Sequence, residues 1–254
     1  MQPITPSARL ACAIRISEDA AQSSLQYFHA RTDLAISTKS PGQAVTEADR
    51  AVENEIRTAM AEHFPNEAIV GEEFGGEAQS SFWTLDPIDG RVNFLNGLPF
   101  WGVAIGHMKE GMPDLGVISL PLLGLTIAGE GENLFANGVA YDRRPPAIDT
   151  VSLGQADQAR LTECLSLHEH CRNADIAVYH WRCSAVSFAY TALGQISGHM
   201  HRGTTLWDAV PGAAICKAAG MDVRQGTDEA GSLWIKAVDP AVHELFGDLW
   251  EGNS

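Results

Sequence analysis

The spacing of apolar residues predicts two amphipathic helices near the start of the chain. One covers residues 8–31, where apolar side chains recur at helical intervals after a Pro-Ser pair. The other follows Thr46 as its N-cap and ends near Pro65, with apolar residues on one face. The link at 37–43 is rich in Ser, Pro and Gly, which predicts a loop.

The middle of the chain has short apolar runs that predict β-strands. A buried strand is expected at 81–85, and three successive strands are expected at 102–108, 115–120 and 124–128. Gly and Pro turns separate these three strands, so an antiparallel sheet follows. A further turn is expected within 133–140.

The second half of the chain alternates helices with strands. Strands are expected at 150–152 and 177–180, and helices at 155–165, 184–193 and 208–219. This pattern predicts a smaller α/β layer. Two prolines, Pro145 and Pro146, mark the boundary. We therefore expect an N-terminal α+β half, 1–145, and a C-terminal α/β half, 146–254.

Composition narrows the classes of partner. The 254 residues are 45% hydrophobic, which is enough for a sizeable core. Seventeen basic residues against 32 acidic ones give a net charge of -15, which repels nucleic acid and anionic membranes. An anionic substrate would then have to be attracted by bound cations.

The cysteines and the apolar segments predict a soluble cytoplasmic protein. The five cysteines are odd in number and scattered, which is typical of a reducing compartment. Residues 1–9 are polar and lack the apolar core of a signal peptide. The longest apolar region, 115–128, is interrupted by Pro121 and is too short to span a bilayer.

The main candidate for chemistry is the segment Asp86-Pro87-Ile88-Asp89-Gly90, which we expect at the end of the predicted strand. Pro87 fixes its own φ and favours extended geometry at Asp86, so both carboxylates and the Ile88 carbonyl can face one pocket. Such hard oxygen ligands suit Mg²⁺, Mn²⁺ or Ca²⁺ better than Zn²⁺. An ordinary Asx-type turn is the alternative interpretation.

Three more acidic residues stand near element boundaries. Glu72 follows a short apolar run in Gly-Glu-Glu, and Asp208 stands in Trp-Asp-Ala at the start of a predicted helix. Asp208 is also interpretable as a helix N-cap, with Pro211 in the first turn. Asp49 lies three residues after Thr46, which is the spacing of a capping box.

Gly-Glu-Glu, Asp-Pro-Ile-Asp-Gly and Trp-Asp-Ala, in this order between about Lys39 and Gly220, resemble the inositol monophosphatase family. The resemblance implies an α/β (α+β) fold with αβαβα layers, a larger antiparallel sheet and a smaller second sheet. It also implies a homodimeric, Mg²⁺-dependent phosphatase of small polyol, sugar or related phosphate monoesters. Two or three Mg²⁺ ions, substitution by Mn²⁺ and inhibition by Li⁺ are expected.

The resemblance also assigns roles to residues. Glu72 and Arg91 take the catalytic positions, and Glu72 would orient the attacking water. Lys39 falls in a metal-responsive loop. The metal-binding positions are Asp49, Glu72, Asp86, Ile88, Asp89 and Asp208. The positions that face phosphate or substrate are Asp89, Gly90, Arg91, Ser184, His201 and Asp208. On this assignment the half 1–145 carries the metal motifs, and the half 146–254 carries substrate-recognition residues and the last metal Asp.

The chain departs from the family pattern at two of these positions. Arg91 replaces the usual Thr; it cannot act as a base but can clamp phosphate. Catalysis is then slowed, rerouted through Glu72 alone, or lost. His201 aligns with a Glu that meets sugar hydroxyls, so we expect a preferred substrate other than myo-inositol monophosphate. A histidinol-phosphate or nucleotide phosphatase, and a catalytically weak binding or regulatory protein, remain as alternatives.

One other group of residues has a spacing that can bind Zn²⁺: Cys164, His168, His170 and Cys171. No second ligand pair at zinc-finger spacing accompanies it, and we interpret the group as incidental.

Overall fold

The structure, a computed structural model, describes residues 4–34, 36–40, 43–154 and 161–246. Seven α-helices lie in this part of the chain. They are α1 (Ala8–His29), α2 (Glu47–His63), α3 (Arg91–Leu95), α4 (Leu161–Asn173), α5 (Ser184–Ala192), α6 (Leu206–Ala218) and α7 (His243–Phe246). None of the helices in the described ranges has the length and apolar composition that crossing a membrane requires.

The described strands form three sheets. A hairpin of β1 (Ile36–Ser40) and β2 (Gln43–Thr46) is the smallest. The largest has the order β3 to β9, with β3 (Ala68–Gly71), β4 (Ser81–Asp89), β5 (Gly102–Lys109), β6 (Met112–Leu120), β7 (Leu125–Glu130), β8 (Asn133–Ala136) and β9 (Val139–Ala140). The third has the order β11-β10-β12-β14-β13, with β10 (Thr150–Leu153), β11 (Ala177–Tyr179), β12 (Gly198–Thr204), β13 (Asp222–Thr227) and β14 (Leu233–Val238).

Helices and the two larger sheets alternate in five layers. Helices α1 and α2 cover one face of the seven-stranded sheet, and α5 and α6 fill the space between the sheets. Helices α4 and α7 cover the outer face of the five-stranded sheet. This arrangement confirms the predicted αβαβα fold. The division of the chain at residue 145 stays a prediction.

The large sheet is antiparallel except for the parallel pair β3 and β4. Its three central strands confirm the predicted strands at 102–108, 115–120 and 124–128. The turn expected within 133–140 is a hairpin, because β8 and β9 flank Asn137-Gly138. The strand expected to end at residue 85 continues to Asp89, so the two carboxylates lie within β4 rather than after it.

Several element boundaries differ from the predicted ones. The loop expected at 37–43 is largely the β1–β2 hairpin; residues 41–42 and the side chain of Lys39 are outside the described part. The helix expected at 155–165 is α4, which begins at Leu161, and residues 155–160 are also outside the described part. Strands β12, β13 and β14 had no sequence-based prediction.

Helix α6 lies close against the large sheet. A Cβ atom at Gly116 of β6 would lie 2.1 Å from the backbone oxygen of Pro211, and one at Gly106 of β5 would lie 2.8 Å from its nitrogen. Pro211 is the sixth residue of α6, beyond its first turn, and not in the first turn as expected. Because Pro has no N–H, it cannot donate a helical hydrogen bond to the carbonyl four residues earlier, so the helix has one bond fewer at this position.

Candidate functional site

A β-bulge in β4 brings Asp86 and Asp89 to one face of the sheet. Asp86 pairs with Ala104 of β5 and Asp89 pairs with Gly102, so β4 has one residue more than β5 between these pairs. In a regular strand, residues three apart point to opposite faces. Here the extra residue restores the same face. The Ile88 N–H donates to Asp86 Oδ1 at 3.1 Å, so the Asx-type turn and the convergence of carboxylates occur together.

Helix α6 supplies the third carboxylate. Its N-cap is Thr205, whose hydroxyl accepts from the Asp208 N–H at 3.4 Å and donates to Asp208 Oδ2 at 2.7 Å. Asp208 is thus the third residue of the helix and not the N-cap, as the alternative interpretation had it. One carboxylate oxygen each from Asp86, Asp89 and Asp208 lies within 4.8 Å of the others.

Glu72 and Ile88 line the same cavity as these three aspartates. Glu72 follows β3, and its N–H donates to the Leu85 carbonyl of β4 at 3.1 Å, which sets it beside Asp86. The cavity has a volume of about 310 Å³. Its other lining residues are Gly90, Arg91, Thr205 and Trp207.

Gly90 allows the chain to turn from β4 into α3 at this cavity. Its φ of 86° is left-handed, and a Cβ here would lie 2.7 Å from the Phe100 carbonyl and 3.1 Å from Cys183 Sγ. The turn sets Arg91 as the first residue of α3, next to the cavity.

Arg91 ion-pairs with three carboxylates. Its Nε lies 2.5 Å from Asp49 Oδ1, and its Nη2 lies 2.8 Å from Glu73 Oε1 and 3.0 Å from Glu72 Oε2. Asp49 also accepts from the N–H of Thr46 at 2.8 Å, as in the predicted capping box. The fully buried Asp49 therefore joins the site through Arg91.

Burial and mutual repulsion raise the pKa values of three carboxylates of the site. Burial, followed by the charge of Glu72, raises the pKa of Asp86 well above its ordinary value. Burial and Asp208 raise the pKa of Asp89 to about 8. Burial raises the pKa of Glu72 to about 7, although Arg91 opposes the shift. A cation bound beside these three carboxylates would favour their ionised forms.

The donor set fits a hard divalent ion. The group consists of three aspartates, Asp86, Asp89 and Asp208, so its ligand atoms are carboxylate oxygens and it contains no Cys or His. Oxygen donors of this kind match Mg²⁺, Mn²⁺ or Ca²⁺. The residues present therefore fit the predicted metal.

A second, smaller cavity adjoins the first and contains the predicted substrate residues. It has a volume of about 160 Å³ and shares Asp89 and Asp208 with the larger one. Ser184 and His201 line it, with Ser184 Oγ 3.4 Å from His201 Nδ1. The Ala185 N–H at the start of α5 donates to Asp89 Oδ2, which ties this helix to the carboxylate group.

Several lining residues had not been predicted. Thr205 and Trp207 line the larger cavity, and Arg182 and His199 line the smaller one. Thr205 stands three residues before Asp208, which is a capping-box signal that was available in the sequence. His199 lies two residues before His201 on β12, so the two share a face, but the strand itself had not been predicted.

The remaining candidates lie elsewhere. A further cavity, about 940 Å³, is formed by α4, β11 and adjacent residues, and none of the three aspartates lines it. The Cys and His group at 164–171, interpreted as incidental, lies on α4, where His168 faces His180 and His170 contacts the Leu245 carbonyl. Within the described residues, the three aspartates place their ligand atoms close enough together to hold one metal ion. The Cys and His group on α4 does not.

Comparison with known proteins identifies the family. The model of the inositol monophosphatase family matches residues 6–245. The chain belongs to this family. Family membership confirms the resemblance inferred from the three acidic motifs. It also confirms the predicted enzyme class, a phosphoric monoester hydrolase.

Relatives within the inositol monophosphatase family differ in substrate. Inositol-1-monophosphatase ImpA of Mycolicibacterium smegmatis is 30% identical over 241 residues, which cover 86% of this chain and 84% of that protein. The histidinol-phosphatase of Mycobacterium tuberculosis is 37% identical over 133 residues, 51% of this chain and 50% of that protein. The crystal structure of extragenic suppressor protein suhB from Bartonella henselae matches with a TM-score of 0.84 at 24% identity and covers 97% of this chain and 100% of that chain. This last likeness shows the fold alone.

Proposed function

We propose that this protein is a Mg²⁺-dependent phosphomonoesterase that hydrolyses a small polyol, sugar or related phosphate monoester. The observation that carries the proposal is the meeting of Asp86, Asp89 and Asp208 within 4.8 Å at a cavity. Asp208 comes from a part of the chain distant from Asp86 and Asp89. An Asx-type turn in one segment or a helix cap in the other does not explain why the three carboxylates meet.

Each residue of the site would contribute to the hydrolysis of a phosphate ester. Asp86, Asp89, Asp208 and the Ile88 carbonyl would hold Mg²⁺, which when bound neutralises phosphate charge and acidifies water. Glu72 lines the same cavity and would orient the attacking water and accept its proton. A pKa raised to about 7 suits a group that exchanges protons near neutral pH.

The smaller cavity would hold the leaving alcohol. Its volume of about 160 Å³ favours a compact alcohol. Ser184 and His201 offer a hydroxyl and an imidazole, and among the residues that the structure describes Asp89 and Asp208 are the carboxylates that line it. Since an imidazole recognises a diol less well than a carboxylate does, this lining supports a substrate other than myo-inositol monophosphate.

Phosphate release with and without Mg²⁺ tests the proposal. We expect EDTA to abolish phosphate release. We expect Asp86→Asn to lower kcat/KM about 100-fold or more, because loss of a direct metal ligand should cost at least as much as loss of an outer-shell contact. Asp114→Asn is the matched control, because Asp114 is partly exposed and pairs with His107 away from the site. Full activity of Asp86→Asn, or of the wild type in EDTA, would refute the proposal.

A second candidate function follows from Arg91. The guanidinium pairs with Asp49, Glu72 and Glu73, so Glu72 is less available to orient a water. In this second candidate function the protein is a weak catalyst that acts as a binding or regulatory protein. Arg91→Thr separates the two functions. A silent wild type that gains activity with Thr supports the regulatory function, whereas an active wild type that is slowed by Thr supports a catalytic role of Arg91.

A substrate panel tests the alternatives for the leaving group. Histidinol phosphate, nucleoside monophosphates, sugar phosphates and inositol phosphate are compared by kcat/KM. Turnover of inositol phosphate far above the rest would contradict the role proposed for His201. Mn²⁺ substitution, Li⁺ inhibition, a homodimer and a cytoplasmic location remain predictions, and light scattering of the purified protein tests the homodimer.

A further inference from the structure

The cavity contains a positive charge that belongs to the protein itself. Arg91 lines it, and three carboxylate oxygens lie 2.5 to 3.0 Å from its guanidinium nitrogens. Glu72 and Glu73 follow β3, and Asp49 lies in the first turn of α2. A guanidinium with donors in a fixed fork is suited to joining carboxylates from separate segments.

Burial keeps this charge in place. The side chain of Arg91 is 13% exposed, and those of Asp49 and Glu73 are 0% exposed. If Arg91 turned towards solvent, it would leave two buried carboxylates without their cation, which is strongly unfavourable. Burial alone would lower the pKa of Arg91, but the charges of Asp49 and Glu72 outweigh it and raise the pKa, so the group stays charged.

Glu72 stands between this cation and the aspartates. It lines the cavity with Asp86, Asp89 and Asp208, yet among the described residues the group of oxygens within 4.8 Å of one another comes from the three aspartates and does not include Glu72. Glu72 Oε2 instead lies 3.0 Å from Arg91 Nη2. The carboxylates of the site are thus divided between a place for a metal ion and a guanidinium.

We propose that Arg91 replaces one divalent ion: its single positive charge partly offsets the charges of Asp49, Glu72 and Glu73, and the metal is confined to Asp86, Asp89 and Asp208. The proposal rests on the proposed metal-dependent function. A divalent ion bound to Glu72 would lie within a few ångströms of the guanidinium and be repelled by it. The wild type therefore binds fewer ions than a variant without this charge, and we expect one ion per chain.

Counting bound Mn²⁺ tests the replacement directly. Mn²⁺ is titrated into metal-free protein, and bound ions per chain are counted by electron paramagnetic resonance and calorimetry, with no substrate present. We expect Arg91→Thr to bind one ion more than the wild type, and Arg91→Lys, which keeps the charge, to match the wild type. Arg143→Met is the matched control, because it breaks an ion pair with Asp239 remote from the site.

Thermal unfolding gives a second readout that does not depend on the count. Without metal, Arg91→Thr removes the guanidinium charge beside three carboxylates, so we expect a melting temperature below that of the wild type. Saturating Mn²⁺ should raise it by more than it raises the wild type, because the added ion takes over the missing charge. If Arg91→Thr does not fold without metal, Arg91→Gln is prepared and counted in the presence of Mn²⁺.

The outcomes separate this inference from the proposed function. Equal, non-zero counts for the wild type and for the neutral variants would overturn the role of Arg91 and leave the phosphatase proposal standing. A wild type that binds no divalent ion would refute the metal-dependent function, whatever the variants do. A gain of one ion on loss of the charge supports the inference even in a protein without measurable phosphatase activity.

Discussion

Asp86 and Asp89 show how one additional residue determines the chemistry of a strand. The sequence alone predicted that these carboxylates and Asp208 belong together, because hard oxygen donors in three segments match a known family pattern. It did not predict the bulge that gives Asp86 and Asp89 a common face, or the ion pairs of Arg91. Both depend on contacts with residues distant in sequence, β5 for the bulge and α2 for the arginine.

His199 is predicted to make the stability of the protein depend on pH. It is buried, its Nδ1 lies 3.1 Å from the Ser152 carbonyl, and burial together with His201 lowers its pKa to about 3. The unfolded chain protonates this imidazole near pH 6.5. Below that pH the unfolded state binds more protons, so the free energy of unfolding falls as the pH falls.

We expect this residue to cost about 1 kcal/mol of stability between pH 7 and pH 5.5. His199→Asn keeps a donor to Ser152 and removes the titration, so urea unfolding of both proteins at several pH values gives the contribution by difference. Carboxylates that titrate in both proteins cancel in this comparison. Equal pH slopes for the two proteins would contradict the prediction.

At the scale of elements, the sequence predicted those with clear periodicity and missed those defined by their neighbours. Helix α2 and strands β5 to β7 have apolar patterns of their own, and the structure confirms them. Strand β12 has the sequence Gly-His-Met-His-Arg-Gly-Thr, which no period marks as a strand. It is a strand because β10 and β14 pair with it on both sides.

The contact of α6 with β6 predicts a severe effect of Gly116→Ala. The added Cβ would lie 2.1 Å from the Pro211 oxygen, so the helix must move away from the sheet and carry Asp208 with it. We expect a loss of about 3 kcal/mol in the free energy of unfolding and a clear loss of Mg²⁺ affinity. Urea unfolding and calorimetric titration measure the two effects.

Gly111→Asn is the control for this prediction. Gly111 also has a restricted backbone, with φ at 78°, but apart from its two chain neighbours no described residue lies within 4 Å of the position that a Cβ atom would take there. Asn tolerates the left-handed region, so a loss of no more than about 1 kcal/mol and unchanged Mg²⁺ affinity are expected. Wild-type Mg²⁺ affinity in Gly116→Ala would show that α6 does not need this contact to position Asp208.

For the whole molecule, the net charge of -15 opposes the approach of a phosphate ester. We expect kcat/KM at saturating Mg²⁺ to rise several-fold when salt is raised from about 0.01 M to about 0.15 M, because the Debye length falls from roughly 30 Å to about 8 Å. The value of kcat should change little, because kcat describes the steps after the substrate has bound and the net charge acts on its approach. Steady-state kinetics in sodium chloride, with sucrose as the uncharged control, measure both, and a fall in kcat/KM would contradict the expectation.

Helix α6 belongs to the packing of both larger sheets and also carries Asp208. The two sheets therefore cannot separate without dismantling the proposed metal site, and the site cannot open by a local movement of this helix alone. Amide hydrogens of its buried middle turns should exchange with deuterium only when the whole molecule unfolds. A metal ion held there would then slow exchange across both sheets together.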